Sequence, residues 1–161
     1  MPDGVERPRV YLETTIISYL TASPSRDIIQ TAHQQVTRDW WDRRGRFDLF
    51  VSQAVLEEAG RGDPEAANRR TQALSGIAVL GVGPDVARFA EHLFEVGAIL
   101  RKAALDAVHI AVAVLNGMDY LLTWNCAHIA NAAVRGKIEQ ACRDHRLEPV
   151  VICTPEELME T

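Results

Sequence analysis

The chain is poor in cysteine, carries no excess of positive charge and has no long apolar run. Cysteine occurs three times in 161 residues, as Cys126, Cys142 and Cys153. An odd number without any C-x-x-C pair argues against a disulfide framework and against a structural zinc site. The three read as buried free thiols. The longest apolar stretch, Ala107 to Leu115, is too short to span a bilayer and carries His109. The opening Met-Pro-Asp-Gly-Val-Glu has no basic region followed by an apolar run, so it does not read as a secretory signal. The expectation is a cytoplasmic protein. Also missing are G-x-G-x-x-G, G-x-x-x-x-G-K-[ST] and G-x-S-x-G, so nucleotide binding and Ser/His/Asp hydrolysis have no motif behind them.

The formal net charge is −5. Non-specific nucleic-acid binders gain affinity by neutralising phosphates, and this balance runs against that. A metal site with a few local arginines can still hold one scissile phosphate, and an acidic surface suits a basic protein partner. Hydrophobic residues at 47% and charged residues at 24% fit an ordinary globular chain with one sizeable core. The reading is one domain over 1–161, with its core over about 8–153 and a tail over Met1–Glu6.

Short β-branched runs alternate with longer helical patterns, which predicts an α/β fold with a central parallel sheet of about four to five strands. Strands are expected at Arg9–Leu12, Asp48–Val51, Ile77–Leu80, Tyr120–Thr123 and Val150–Ile152. Thr14 or Thr15 is the expected cap of a helix through Leu20. Asp27–Arg44 reads as a long helix anchored by Ile28, Val36, Trp40 and Trp41, ending at Gly45. Ser52 caps a helix that stops near Gly60–Gly62, and Asp63-Pro64 starts another. Pro84–Val96 follows. Leu105–Leu115 is apolar nearly all round, hence a central buried helix ended by Asn116-Gly117. Asn131–His145 is mostly helical, and Thr154-Pro155-Glu156-Glu157 opens a terminal turn.

Ligands of an open parallel sheet bind beyond the carboxyl ends of its strands. Glu13 follows the first strand, and Thr123 and Asn125 follow the fourth. Asp106 stands in the first turn of the most apolar helix, where the dipole favours a carboxylate but the surroundings penalise it. Glu57 and Glu58 follow the second strand. Carboxylates gathered in one place repel one another, and a hard divalent cation with oxygen ligands removes that repulsion. Taken singly, each acid is equally well explained as a cap or a dipole partner.

Four segments carry a resemblance. Val10-Tyr11-Leu12-Glu13-Thr14-Thr15-Ile16-Ile17-Ser18-Tyr19-Leu20 resembles the opening strand and helix of PIN domains. Ser52-Gln53-Ala54-Val55-Leu56-Glu57-Glu58 with Gly62 resembles their second motif, Leu105-Asp106-Ala107-Val108-His109-Ile110-Ala111-Val112-Ala113 their third, and Leu121-Leu122-Thr123-Trp124-Asn125 their fourth. Their order and span are similar to those of VapC-like toxins of toxin–antitoxin pairs. The resemblance implies a metal-dependent endoribonuclease using Mg2+ or Mn2+, an RNA substrate, a small basic antitoxin as partner and a homodimer.

It also implies a site of Glu13, Glu58, Asp106 and Asn125, both catalytic and metal-binding. Thr14, Thr123 and His128 are its supporting or substrate-contacting residues. Glu58 fits better than Glu57, being four residues before Gly62 and six after Ser52. Glu13 and Asn125 stand where the family usually has Asp. A longer carboxylate and an uncharged amide oxygen leave three carboxylates instead of four. These departures support a second reading, a PIN-like RNA- or protein-binding module with weakened catalysis.

Other features have two readings each. His128 and Asn131 can contact a substrate backbone or order their loop. His109 reads as a satisfied core histidine on the Asp106 face of its helix. Arg43, Arg44 and Arg46 can bind phosphate or compensate a helix dipole. Trp40 and Trp41 can stack bases, or pack a core or dimer interface.

Overall fold

The computed structural model describes residues 4–159. The first three residues of the expected tail, Met1–Asp3, lie outside them, and Gly4–Glu6 are exposed. Five parallel strands form one sheet in the order β3-β2-β1-β4-β5. They are β1 Arg9–Leu12, β2 Asp48–Ser52, β3 Ala78–Leu80, β4 Tyr120–Leu122 and β5 Val151–Cys153. The α-helices are α1 Thr14–Thr21, α2 Ile28–Asp42, α3 Gln53–Ala59, α4 Pro64–Ala73, α5 Pro84–Glu95, α6 Ala104–Leu115 and α7 Ala132–Asp144.

β1 is the middle strand, and Val10, Tyr11 and Leu12 are fully buried. A strand covered on both faces needs an unbroken apolar run, and this one has it. The edge strands are three residues each, and both expose a valine, Val79 and Val151. Short edges limit unwanted pairing with other chains. α6 supplies the deepest helix, with seven buried residues including His109. Asn116 ends it, and Gly117 takes φ +66, a left-handed turn that glycine adopts without a Cβ penalty.

The chain leaves β1 for β2 and β3 on one side, then returns past it to β4 and β5 on the other. The strand order therefore reverses between β1 and β4. Their carboxyl ends are held together, with the Glu13 N–H donating to the Leu122 carbonyl at 3.0 Å. A crevice at such a reversal is where parallel sheets bind ligands.

Several expectations need correction. Glu13, not Thr14 or Thr15, caps α1: its side chain accepts from the Thr15 N–H at 3.1 Å. Capping preferences favour short side chains, but Glu13 sits low enough in the crevice to fold back on its own helix. Ile28 is no anchor of α2 but is 85% exposed, on the side of the helix that does not dock against the core. α2 ends at Asp42, before a 3-10 turn over Arg44–Arg46. Trp40 is fully buried against Phe47, so it packs the core and neither stacks a base nor lines an interface. Cys142 and Cys153 are buried as expected, but Cys126 is exposed on the loop after β4. No helix among the described residues is long and apolar enough to cross a membrane.

Candidate active site

Glu13 leaves the end of β1 and is only 3% exposed. Its Oε1 accepts from the Thr15 hydroxyl at 2.5 Å and from the Thr123 hydroxyl at 2.7 Å, while Oε2 takes the Thr15 N–H. Burial pushes this carboxyl above the ordinary glutamate range, and His109 and the Thr15 and Thr123 donors act against that shift. The Thr123 oxygen in turn accepts the Asn125 N–H at 2.9 Å. Threonine thus stitches the ends of β1 and β4 into one polar floor.

Glu58 comes from α3. Its Oε1 accepts from the Thr14 hydroxyl at 2.7 Å and from His109 Nε2 at 2.5 Å. Burial alone would raise its pKa, but those hydrogen bonds outweigh burial and hold it below the ordinary range. Oε2 has no protein partner among the described residues. Arg61, exposed at the end of α3, is close enough to act on Glu58 and makes no side-chain hydrogen bond of its own. Glu57 faces away, lining a hollow of about 370 Å³ with Gln53, Val82, Leu105 and Val108. The preference for Glu58 over Glu57 follows that division.

Asp106 approaches from the first turn of α6. It is half-buried, and burial raises its pKa. His109, His128 and the Asn125 side chain lie near enough to oppose that rise, while Glu58 is close enough to add repulsion. Asn125 Oδ1 accepts the His128 N–H at 3.1 Å. Glu13, Glu58, Asp106 and Asn125 therefore come together at the carboxyl ends of β1 and β4.

The remaining polar features separate cleanly. Asn131 caps α7, accepting from the Ala133 N–H at 3.0 Å. Arg44 lies over Trp41 and Arg46 over Phe47, just before the amino end of β2 and so at the opposite end of the strands. A hollow of about 440 Å³ lined by Arg7, Arg9 and Asp119 also lies at the amino ends, beside β1 and β4 and away from the acids. Trp124 stacks on His33 at 4.0 Å and gives its indole N–H to Thr37, so it braces the loop that carries Asn125.

Three contributors were not picked out as site residues from sequence. Thr15 bonds Glu13 through both backbone and hydroxyl. Tyr11 bonds both Ser52 and His109. His109 is a satisfied core histidine, as read, yet its partner is Glu58. A tyrosine inside an otherwise aliphatic strand is the signal that was present, because a buried phenol seeks a hydrogen-bond partner.

The donor set is oxygen throughout, which suits a hard cation. Among the described residues no three His, Cys, Asp or Glu side chains form a ready cage. Magnesium commonly takes one or two carboxylates and completes its shell with water, so the partnerless Glu58 Oε2 and the half-buried Asp106 carboxyl fit it.

Sheet order and helix placement give an open parallel PIN-like α/β fold. Two solved toxin structures share it. VapBC2 from Rickettsia felis, solved bound to a DNA fragment from its promoter, superposes with a TM-score of 0.57 at 13% identity, covering 91% of this chain and 98% of that one. VapC20 from Mycobacterium tuberculosis, described as a sarcin–ricin loop cleaving toxin, gives 0.55 at 18% identity over 74% of this chain and 92% of that one. No family model matches the sequence, and no curated protein matches it.

Proposed function

We propose that this protein is a metal-dependent endoribonuclease, the toxin of a toxin–antitoxin pair acting in the cytoplasm. The observation that carries the reading is the convergence of Glu13, Glu58, Asp106 and Asn125 at the β1–β4 reversal, in a fold shared with VapC toxins. Glu58 and Asp106 are the residues that would hold Mg2+ or Mn2+ directly. Glu13 supplies negative charge beneath them and Asn125 orients Asp106. A cation held there lowers the pKa of bound water and offsets charge on phosphoryl oxygens. Arg61 would take a non-bridging phosphate oxygen, the local positive charge that a chain of net charge −5 otherwise lacks. The acidic surface suits a small basic antitoxin, and a homodimer completes the assembly in this reading.

The test is cleavage of RNA with and without manganese, comparing the parent with Asp106→Asn. Metal-stimulated cleavage lost in the folded variant supports the reading, and equal cleavage by both sinks it. A second reading, a PIN-like RNA- or protein-binding module, is favoured by one observation. Glu13 already accepts from three donors, one of them the first turn of α1, and Asn125 brings no charge. That reading expects binding without metal-stimulated cleavage.

A further inference from the structure

Behind Glu58 a file of buried polar atoms runs through the core. Ser52 ends β2 and caps α3, its Oγ accepting the Val55 N–H at 3.4 Å. The same Oγ is 2.8 Å from the Tyr11 hydroxyl, which is 2.7 Å from His109 Nδ1. His109 Nε2 then meets Glu58 Oε1 at 2.5 Å. Ser52 and Tyr11 are fully buried and His109 is 1% exposed, so water cannot satisfy them from outside.

Only one arrangement of hydrogens satisfies every atom. An ionised carboxylate only accepts, so His109 donates through Nε2–H. Ser52 already accepts from Val55 and must give its own hydrogen away, and among the described residues Tyr11 is its one acceptor. Tyr11 then donates to Nδ1, which must be bare. Were Nδ1 protonated, Tyr11 would donate to Ser52, and the Ser52 hydrogen would be left buried without an acceptor. Such orphans are rare in folded proteins because they are costly.

We infer that Tyr11 and His109 are positioning residues for the proposed cleavage site, a one-way hydrogen-bond file that fixes which oxygen of Glu58 is spent and which is left for the site. Oε1 is saturated by His109 and Thr14, and Oε2 is left over. The file is closed on itself in the chain: Ser52 caps the very helix that carries Glu58. It therefore couples the placement of α3 to the orientation of its carboxylate. This inference rests on the endoribonuclease reading for its functional arm and on donor geometry alone for its structural arm.

Two measurements test it. Nitrogen-15 NMR of the histidine rings in the intact parent protein, with His109 identified by its contacts to Tyr11, should show a pyrrole-type Nε2 and a pyridine-type Nδ1. A proton on Nδ1 overturns the inference whether or not the protein cuts RNA. In the manganese-stimulated cleavage assay, Tyr11→Phe should lower kcat by roughly 10–100-fold, the loss typical of partners that orient a site's carboxylates, with KM unchanged. Thr14→Val, which spares the core file, should lower kcat in the same direction, and Thr14→Ser should restore it. Unchanged kcat in Tyr11→Phe and Thr14→Val, beside an inactive Asp106→Asn, overturns positioning while leaving the ribonuclease reading intact. A parent without cleavage removes that reading, and the ring nitrogens still decide the file.

Discussion

Thr123 and Glu13 meet across the two middle strand ends, the threonine hydroxyl donating to the carboxylate at 2.7 Å while its oxygen accepts the Asn125 N–H. Thr123 is fully buried, so neither bond can be replaced by bulk water. Thr123→Val keeps the shape and strands both partners. It should cost about 1–3 kcal/mol, the usual penalty of leaving buried polar groups unpaired. Thr123→Ser keeps the hydroxyl and should lose less. Urea unfolding of the three proteins decides it, and a fully stable valine variant would contradict the assignment.

Asp106 should show activity and stability moving apart. Its carboxyl is half-buried beside Glu58, and burial already pushes its pKa upward. Asp106→Asn removes a charge that the fold holds at some cost, so the melting temperature should stay level or rise. Metal-stimulated cleavage should fall to background. A variant that unfolds would show that the charge serves folding instead.

Asn125→Asp tests how much one charge matters to the cation. The parent should bind manganese weakly, since only Glu58 and Asp106 have oxygens to spare. An added carboxylate beside Asp106 should tighten binding by about tenfold, a difference of ~1.4 kcal/mol. Calorimetric titration reads this directly. Tight binding by the parent would count against the depleted ligand set.

The thiols should divide two to one. Burial pushes Cys142 up to about 11 and Cys153 up to about 12, whereas Cys126 is exposed. A maleimide at neutral pH should label Cys126 rapidly and the other two only on unfolding. The same shifts set an alkaline limit. A thiol whose folded pKa is raised supports folding fully below its unfolded value of about 8.5 and loses that support as pH climbs toward its folded pKa. Stability should therefore decline between about pH 8.5 and 11, and less so in Cys142→Ala than in the parent. A flat profile there would argue against burial as the cause.

Most of the framework was legible in the sequence because it rests on local patterns. The Val10–Leu12 run, the Leu105–Leu115 helix and the Ser52 and Asp63 caps each follow from neighbours in the chain. What escaped was decided by distant partners. The Thr123 hydroxyl that Glu13 accepts lies more than a hundred residues away. Ile28 carries an apolar side chain, but which side of α2 faces inward is fixed by where that helix docks. His109 looked like core and is core; that its partner would be Glu58 depends on α3 and α6 meeting, which no spacing within either helix reveals.

Glu13 belongs at once to the most buried strand end, to the cap of α1 and to the acid cluster. Its donors sit on α1 and at the end of β4, beside the middle strand, so fraying of loops or edge strands should not loosen it. Amide exchange at Glu13 and Thr15 should accordingly require opening nearly as large as global unfolding. Heat should thus leave no intact shell with a melted centre: fold and centre disappear in a single transition.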